Sequence, residues 1–297
     1  MLKSLRTVVA VLLAAIPVLG ATPARAADKD LVVVRSTNLS GWNPPSPDPT
    51  GLAYNPKSKK LLISDAEVDE RGQRRNFFIA TRAGRLLSAR KLTKFTDEPE
   101  DLAWDGRHET LYVADDDSKV IYRVRAGRDG KLGTRDDRGK ALLHTDRFGS
   151  TDPEGLALRF TRQGIVLVIT DATDDRVYKV TRGRNRRFDD ADDRVKSFGM
   201  RRYGFTDTED AFFAVKSKHL FVVGSHITGP DFIAEVTWKG GTLVNRLLFN
   251  QQVRASGIVL APGTGGGGRR FYVTDSGVTP DVDPNENDGR LLQLRIA

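Results

Sequence analysis

Two short phrases predict the fold because both recur along the chain: Gly155-Leu156-Ala157 and, shortly after it, Leu167-Val168-Ile169-Thr170-Asp171. The first phrase occurs five times, and successive copies start 50, 54, 55 and 47 positions apart. The copies are Gly51-Leu52-Ala53, Asp101-Leu102-Ala103, Gly155-Leu156-Ala157, Asp210-Ala211-Phe212 and Gly257-Ile258-Val259. Repeats of about 50 residues that contain several short strands are typical of β-propellers and solenoids. We number the repeats units one to five.

The second phrase is an apolar run that ends in a small residue and then usually Asp. These runs end at Asp65, Asp115, Asp171, Ser225 and Asp275. Aspartates at strand ends commonly accept hydrogen bonds from loop amides, so we expect a structural role for most of them.

Each unit divides into four short strands rich in Val, Ile, Leu, Tyr and Phe, separated by turn residues. In unit two the predicted strands are 101–104, 110–114, 120–125 and 141–144. In unit three they are 155–159, 166–170, 176–180 and 194–198.

Unit five ends with its third strand, at 291–296, and lacks a fourth. The apolar segment 31–35 supplies an unpaired strand near the N-terminus. If it completes unit five, the ring closes and no sheet edge stays open. The sequence therefore predicts an all-β chain, a five-bladed β-propeller closed by an N-terminal strand, over residues 27–297 as one domain. A six-bladed ring, the alternative, would need a sixth copy of the first phrase.

The N-terminus has the pattern of a signal peptide over residues 1–26. Lys3 and Arg6 precede an apolar run at 8–19, and Ala24-Arg25-Ala26 forms a small-x-small cleavage site. The run is shorter than the ~20 residues of a transmembrane helix, although an uncleaved anchor is the alternative. We expect Sec-type export, to the periplasm, the cell envelope or the medium, without stable membrane insertion.

The composition and charge of the chain limit the classes of molecule that it is expected to bind. The chain has no cysteine, and its formal charge of +8 falls to +5 once Lys3, Arg6 and Arg25 leave with the signal. Acids and bases are interspersed, whereas nucleic-acid binders more often show a continuous basic stripe. We expect a monomer that binds an extracellular protein or small molecule and no nucleic acid.

The residue before each copy of the first phrase should lie at one mouth of the central channel, because the first strand of a blade lines that channel. Those residues are Thr50, Glu100, Glu154, Glu209 and Ser256. Three carboxylates that converge on one axis repel unless a cation or protons neutralise them. An oxygen-only set suits Ca²⁺ better than zinc. We therefore predict a calcium site formed by Glu100, Glu154 and Glu209. The alternative is that each glutamate caps a turn or pairs with an arginine.

Other acidic loops are weaker candidates. Asp116 and Asp117 could add ligands to the same cation. The loops at 127–138 and 183–194 are duplicates of each other, and 281–288 is also acidic, but acid-rich loops are usually only solvated.

Nucleophilic catalysis has little support. There is no cysteine and no Gly-x-Ser-x-Gly motif. Of the four histidines, His226 alone follows a second phrase and is placed to act as a base.

Glu100-Asp101-Leu102-Ala103 and Asp152-Pro153-Glu154-Gly155-Leu156-Ala157, with the phrase Leu111-Tyr112-Val113-Ala114-Asp115, resemble the SdiA-regulated family of bacterial propellers. They are more distantly similar to NHL-repeat and esterase-like phytase propellers. The resemblance implies five blades and a shared calcium site, with Glu100, Glu154 and Glu209 as the matching positions. Thr50 and Ser256 depart from a full carboxylate ring.

These observations predict a secreted calcium-binding propeller that serves as a binding or scaffold module. The alternative is a metal-dependent hydrolase, either a phytase-like phosphoesterase or a lactonase, as the phytase-like relatives would imply. A lectin-like binder would need clustered exposed aromatic residues, and the three tryptophans are far apart in sequence.

Overall fold

The computed structural model describes residues 26–68, 72–226, 231–277 and 288–297, so the predicted signal peptide lies outside it except for Ala26. The described residues form strands and two short 3₁₀ turns, Asp146–Phe148 and Arg201–Tyr203, and no helix among them is long and apolar enough to cross a membrane. Ahead of unit one lies β1 (Ala27–Asn38).

The strands of units one to three are β2 (Pro49–Asn55), β3 (Lys60–Asp65), β4 (Phe77–Thr81), β5 (Leu86–Arg90), β6 (Leu102–Asp105), β7 (Thr110–Asp115), β8 (Val120–Arg125), β9 (Arg138–His144), β10 (Pro153–Thr161), β11 (Gly164–Asp171), β12 (Arg176–Thr181) and β13 (Arg194–Gly199). Those of units four and five are β14 (Phe205–Asp207), β15 (Ala211–Ala214), β16 (His219–Val222), β17 (Ser225–His226), β18 (Phe232–Thr237), β19 (Leu243–Phe249), β20 (Ala255–Pro262), β21 (Arg269–Asp275) and β22 (Arg290–Ile296).

Units one, two and three each form a four-stranded antiparallel sheet in chain order, from β2–β5, β6–β9 and β10–β13. The strands predicted for units two and three are therefore confirmed, with ends that differ by up to three residues. Strand β9 starts earlier than predicted because the polar residues Arg138 to Lys140 continue the ladder opposite β8.

Units four and five belong to one eight-stranded sheet in the order β15-β16-β18-β19-β1-β22-β21-β20. As predicted, β1 adds to unit five, since Leu31 to Asn38 pair antiparallel with β22. The sequence did not predict the second partner of β1, because Ala27 to Leu31 also pair in parallel with β19. This parallel contact joins the two units. Strands β14 and β17 form a separate ribbon.

The first strands of the five units meet around a common axis. Each lies at an edge of its sheet, and contacts link β2 to β6, β6 to β10, β10 to β15, β15 to β20 and β20 back to β2. The apolar core lies between successive sheets. For example, Ala53 and Phe77 of unit one pack with Leu102 and Leu111 of unit two, and Val259 of unit five packs with Leu52 of unit one.

Candidate metal centre at one mouth of the channel

The three predicted glutamates lie where the first strands begin. Glu100, Glu154 and Glu209 are all half-buried. The pairing of β10 with β11 is irregular between Pro153 and Leu156, as in a β-bulge. Bulges redirect side chains at the ends of strands, and this one carries Glu154.

The structure brings the glutamates into two carboxyl pairs. The carboxyl group of Glu100 lies beside that of Glu154, and the carboxyl group of Glu209 lies beside that of Asp207. Two neighbouring carboxylates repel each other unless a proton or a cation neutralises part of their charge.

Further carboxylates lie three positions before the first phrase in units one to four, and sequence reasoning missed them. Glu98, Asp152 and Asp207 precede the three glutamates by two residues, and unit one has Asp48 at this position, whereas unit five has Arg254. The acid-x-acid pattern was the signal that could have identified them. We call Glu98, Glu100, Asp116, Asp117, Asp152, Glu154, Asp207 and Glu209 the acidic mouth.

Within the acidic mouth, one oxygen each of Asp116, Asp152 and Glu154 lie within 4.8 Å of one another. The Oδ1 atom of Asp116 is buried and has no hydrogen-bond partner among the described residues. An orphaned buried carboxylate oxygen beside two further carboxylates fits a hard cation that binds oxygen ligands, such as Ca²⁺.

The carboxyl groups of the acidic mouth have raised pKa values, because they are buried close to one another. Burial raises the pKa of Glu100 well above its ordinary value, and the charges of Glu154 and Asp116 raise it further. Burial does the same to Glu154, with Asp152 and Asp116 as the nearest charges. Glu98 reaches a pKa of about 7 through burial and the neighbouring Asp117. A bound cation would reverse these shifts by favouring the ionised forms.

Thr50 and Ser256, which hold the equivalent position in units one and five, bind backbone carbonyls of neighbouring units. Thr50 donates to the carbonyl of Pro99 at 3.3 Å, and Ser256 donates to the carbonyl of Pro49 at 2.6 Å. Both hydroxyls therefore connect neighbouring units through the backbone.

One step further along the first strands, Asp101 and Asp210 meet in a buried carboxyl pair that we call the axial pair. Asp101 accepts the Leu52 amide at 2.9 Å and the Leu156 amide at 2.6 Å, both from adjacent units. Asp210 accepts the Ile258 amide at 2.7 Å. The two carboxyl groups lie beside each other. The axial pair thus ties first strands together across the channel.

Burial raises the pKa of Asp101 to about 7. Burial also raises the pKa of Asp210 well above its ordinary value, and the charge of Asp101 contributes to this rise. The pair therefore retains a proton at a pH where exposed aspartates are ionised.

The first phrase starts with Gly in units one, three and five because a Cβ there would collide with the next unit. A side chain on Gly155 would overlap the hydroxyl of Thr170 and the backbone of Glu209 and Asp210. That hydroxyl donates to the carbonyl of Glu209. Ser64 makes the equivalent bond to Glu100 at 3.2 Å.

The aspartates at the ends of the second strands have the structural role that was expected. Asp171 accepts the Ser150 hydroxyl at 2.7 Å and the Asp152 amide at 3.1 Å. Asp65 binds Ser46 and the Asp48 amide in the same way. The bonds of Asp171 anchor the loop that carries Asp152 of the acidic mouth, and those of Asp65 anchor the equivalent loop of unit one.

The duplicated acidic loops do not gather ligands for a cation. In the first, Asp136 accepts the amides of Arg128 and Asp129, while Asp137 accepts those of Gly133 and Thr134. In the second, Asp192 and Asp193 accept backbone amides in the same pattern. The acidic segment 281–287 lies outside the described residues.

His226 does not face the solvent at the mouth. Its side chain is 1% exposed, and its ring packs between Phe205 and Phe232 at centroid distances of 4.2 and 4.1 Å. Its Nδ1 lies 3.2 Å from Asp231. The other histidines also lie beside carboxylates: His108 contacts Asp105, His144 contacts Asp189 and His219 contacts Glu235.

The three tryptophans pack in different interfaces: Trp42 lies between units five and one, Trp104 between units one and two, and Trp238 between units three and four. This arrangement gives no support to the lectin-like alternative.

No protein-family model matches the chain, and no curated protein matches it in sequence. The resemblance to the SdiA-regulated family therefore stays a prediction.

Solved structures do match. A regucalcin from Agrobacterium tumefaciens strain C58, described as a calcium-binding protein, is 12% identical with a TM-score of 0.52, over 91% of this chain and 96% of that one. The PQQ-bound aldose sugar dehydrogenase from Streptomyces coelicolor is 13% identical with a TM-score of 0.47, over 90% and 98%. At these identities the likeness concerns the fold alone. Together with the sheets that meet around one axis, the likeness to regucalcin identifies the fold as a β-propeller.

Proposed function

We propose that this chain is an exported, five-bladed β-propeller that binds Ca²⁺ at its acidic mouth and serves as a binding module. The blade count is supported by the cyclic contacts among β2, β6, β10, β15 and β20. The described strands form five groups of four when β1 is counted in unit five, and the remaining two strands, β14 and β17, form the separate ribbon.

The cluster of Asp116, Asp152 and Glu154 carries the calcium proposal. These residues would supply the first oxygen ligands, and Glu100 and Glu209 would complete the set from the adjacent units. Bound Ca²⁺ would neutralise mutual repulsion among the carboxylates and so hold the starts of three first strands together. The calcium binding of regucalcin agrees with this assignment.

Binding of a partner is the leading role that we propose, and the cyclic contacts among the first strands support it by providing a closed scaffold. The signal-peptide pattern supports export. We propose that the mature chain acts as a monomer on an extracellular protein or small molecule.

The test is thermal unfolding of the mature protein with EDTA, Ca²⁺, Mg²⁺ or Zn²⁺, together with calorimetric titration of Ca²⁺. We expect a rise in the midpoint that is specific for Ca²⁺ and is lost in Glu154→Gln. Glu109→Gln is the matched control, because Glu109 is exposed and pairs with Lys57, away from the acidic mouth. No response to any metal would refute the calcium site.

A metal-dependent hydrolase is the second candidate, and Glu98 favours it. A carboxyl group with a pKa of about 7 beside a cation site is suited to general-base work near neutral pH. Phosphoesters and lactones should be screened with Ca²⁺ present. Hydrolysis that Glu98→Gln abolishes, with Ca²⁺ binding intact, would support this candidate, and its absence across the screen would leave the binding module.

A further inference from the structure

The opposite end of the channel has a different character from the acidic mouth. A cavity of about 780 Å³ is lined there by residues of the first phrase in all five units and by residues that follow it. Its wall includes Leu52, Leu102, Leu156 and Ile258, and its outer part includes Trp104 and Phe160. Cavities of roughly 300–1,000 Å³ with mostly apolar walls are typical of small-molecule sites.

The axial pair separates this cavity from the acidic mouth. From Glu154 to Leu158 the first strand advances about 13 Å, at roughly 3.3 Å per residue. Asp101 and Asp210 lie between these levels and are 2% and 1% exposed. The cavity therefore ends at the axial pair, and a ligand in it would not touch the proposed calcium ligands.

The rim of the cavity is basic. Lys59, Arg82 and Arg269 line it, and no lining residue among those described is acidic. Arg82 donates to the carbonyls of Pro262 and Gly263, and none of the three cations has an ion-pair partner within the described part of the chain. Their charges are thus available to an anion at the opening.

The geometry points to a binding site for an amphiphilic anion, a molecule with an apolar tail or ring system and one carboxylate or similar group. The apolar part would lie along the leucine and aromatic wall, and the anionic group would meet Lys59, Arg82 and Arg269. Burial of the apolar part supplies the affinity, and the unpaired basic rim supplies the preference for an anion. This site does not depend on the calcium proposal.

The test is titration with dodecanoate, below its critical micelle concentration and in buffer without Ca²⁺, followed by tryptophan fluorescence and calorimetry. Trp104 lines the cavity, so we expect a saturable one-to-one signal that Trp104→Phe removes from fluorescence but not from calorimetry. Dodecyltrimethylammonium, with the same tail and a positive head, should bind at least about tenfold more weakly, a difference of about 1.4 kcal/mol. This comparison uses the unmodified sequence.

Val215 offers a matched pair of variants. It lines the cavity and is 77% exposed, so substitutions there leave the core intact. Val215→Glu should weaken dodecanoate binding about fivefold, whereas Val215→Lys should preserve or strengthen it. Absence of saturable binding, equal affinity for the cationic amphiphile, or equal effects of the two variants would each overturn the proposal.

Discussion

Removing the carboxyl group of Asp101 tests whether the axial pair holds the ring together. In Asp101→Ala the amides of Leu52 and Leu156 lose their acceptor, and both bonds are buried. A buried donor left unsatisfied costs about 1–3 kcal/mol. The two together predict a loss of about 2–6 kcal/mol in the free energy of unfolding, a large share of the roughly 5–15 kcal/mol of a whole protein.

Asp101→Asn keeps a side chain of similar size but removes one of its two acceptor oxygens. The amide keeps one oxygen, so one backbone N–H retains its acceptor while the other faces an NH₂ group. We expect about half the loss caused by alanine, about 1–3 kcal/mol. Asp129→Ala is the control, because Asp129 is exposed and its Oδ1 accepts the Lys131 amide in a local turn; it should cost less than about 0.5 kcal/mol.

The assay is equilibrium unfolding in urea at pH 7 without divalent cations, with hydrogen exchange of the Leu52 and Leu156 amides as the local readout. Both amides should be protected in the unmodified protein and exchange faster in Asp101→Ala. Equal stability of Asp101→Ala and Asp129→Ala, or exchange of the two amides at loop rates in the unmodified protein, would contradict a bridging role for Asp101.

Three further predictions concern pH, packing and the metal. Burial raises the folded-state pKa of Asp101 to about 7 and that of Asp210 well above its ordinary value, so stability without metal should be greatest below about pH 4 for this pair and should fall as the pH rises toward 7. Unfolding free energies at pH 4.5 to 7.5 should therefore show a shallower decline in Asp210→Asn than in the unmodified protein. Gly155→Ala should lower the free energy of unfolding by about 1–3 kcal/mol, because the added Cβ would overlap Thr170. Gly199→Ala is the control in the same unfolding assay. Its Cβ would lie 3.9 Å from its nearest neighbour, and it should cost less than about 1 kcal/mol. Calcium affinity measured by calorimetry should increase from pH 5 to pH 8, because the carboxyl groups of the acidic mouth must release protons to bind the ion; a constant affinity would contradict this.

Local pattern was sufficient to predict the strands but not all of their partners. The apolar runs of units two and three predicted β7 and β11 to within a residue or two, because short apolar runs bounded by turn residues are typical of β-strands. The parallel contact of β1 with β19 joins residues more than 200 positions apart. Nothing in either segment's own sequence specifies that partner.

The site was partly predictable for the same reason. A repeated position that holds Glu100, Glu154 and Glu209 predicts where the carboxylates lie, but their grouping depends on the loops. Asp152 joins Glu154 and Asp116 only because the side chain of Asp171 binds the Asp152 amide and fixes that loop. The burial of His226 is likewise a tertiary effect, since Phe205 belongs to a different strand.

The difference between Gly and Asp at the start of the first phrase has a physical logic across units. Units one, three and five start with Gly and units two and four with Asp. An Asp carboxylate reaches the amides of neighbouring units, as Asp101 does, while the adjacent Gly leaves space for the neighbour's backbone. An Asp unit and a Gly unit are therefore complementary neighbours in the ring.

With five copies, this alternation cannot close, so two Gly units meet between unit five and unit one. No axial carboxylate bridges that junction. Instead the hydroxyl of Ser256 donates to Pro49 and that of Thr274 donates to Thr50. Ser256 therefore binds the backbone across the junction between the two Gly units, whereas Thr50 binds the Pro99 carbonyl of unit two, an Asp unit. The second-strand hydroxyl bond occurs at both kinds of junction, since Thr274 makes it to unit one and Ser64 makes it to unit two.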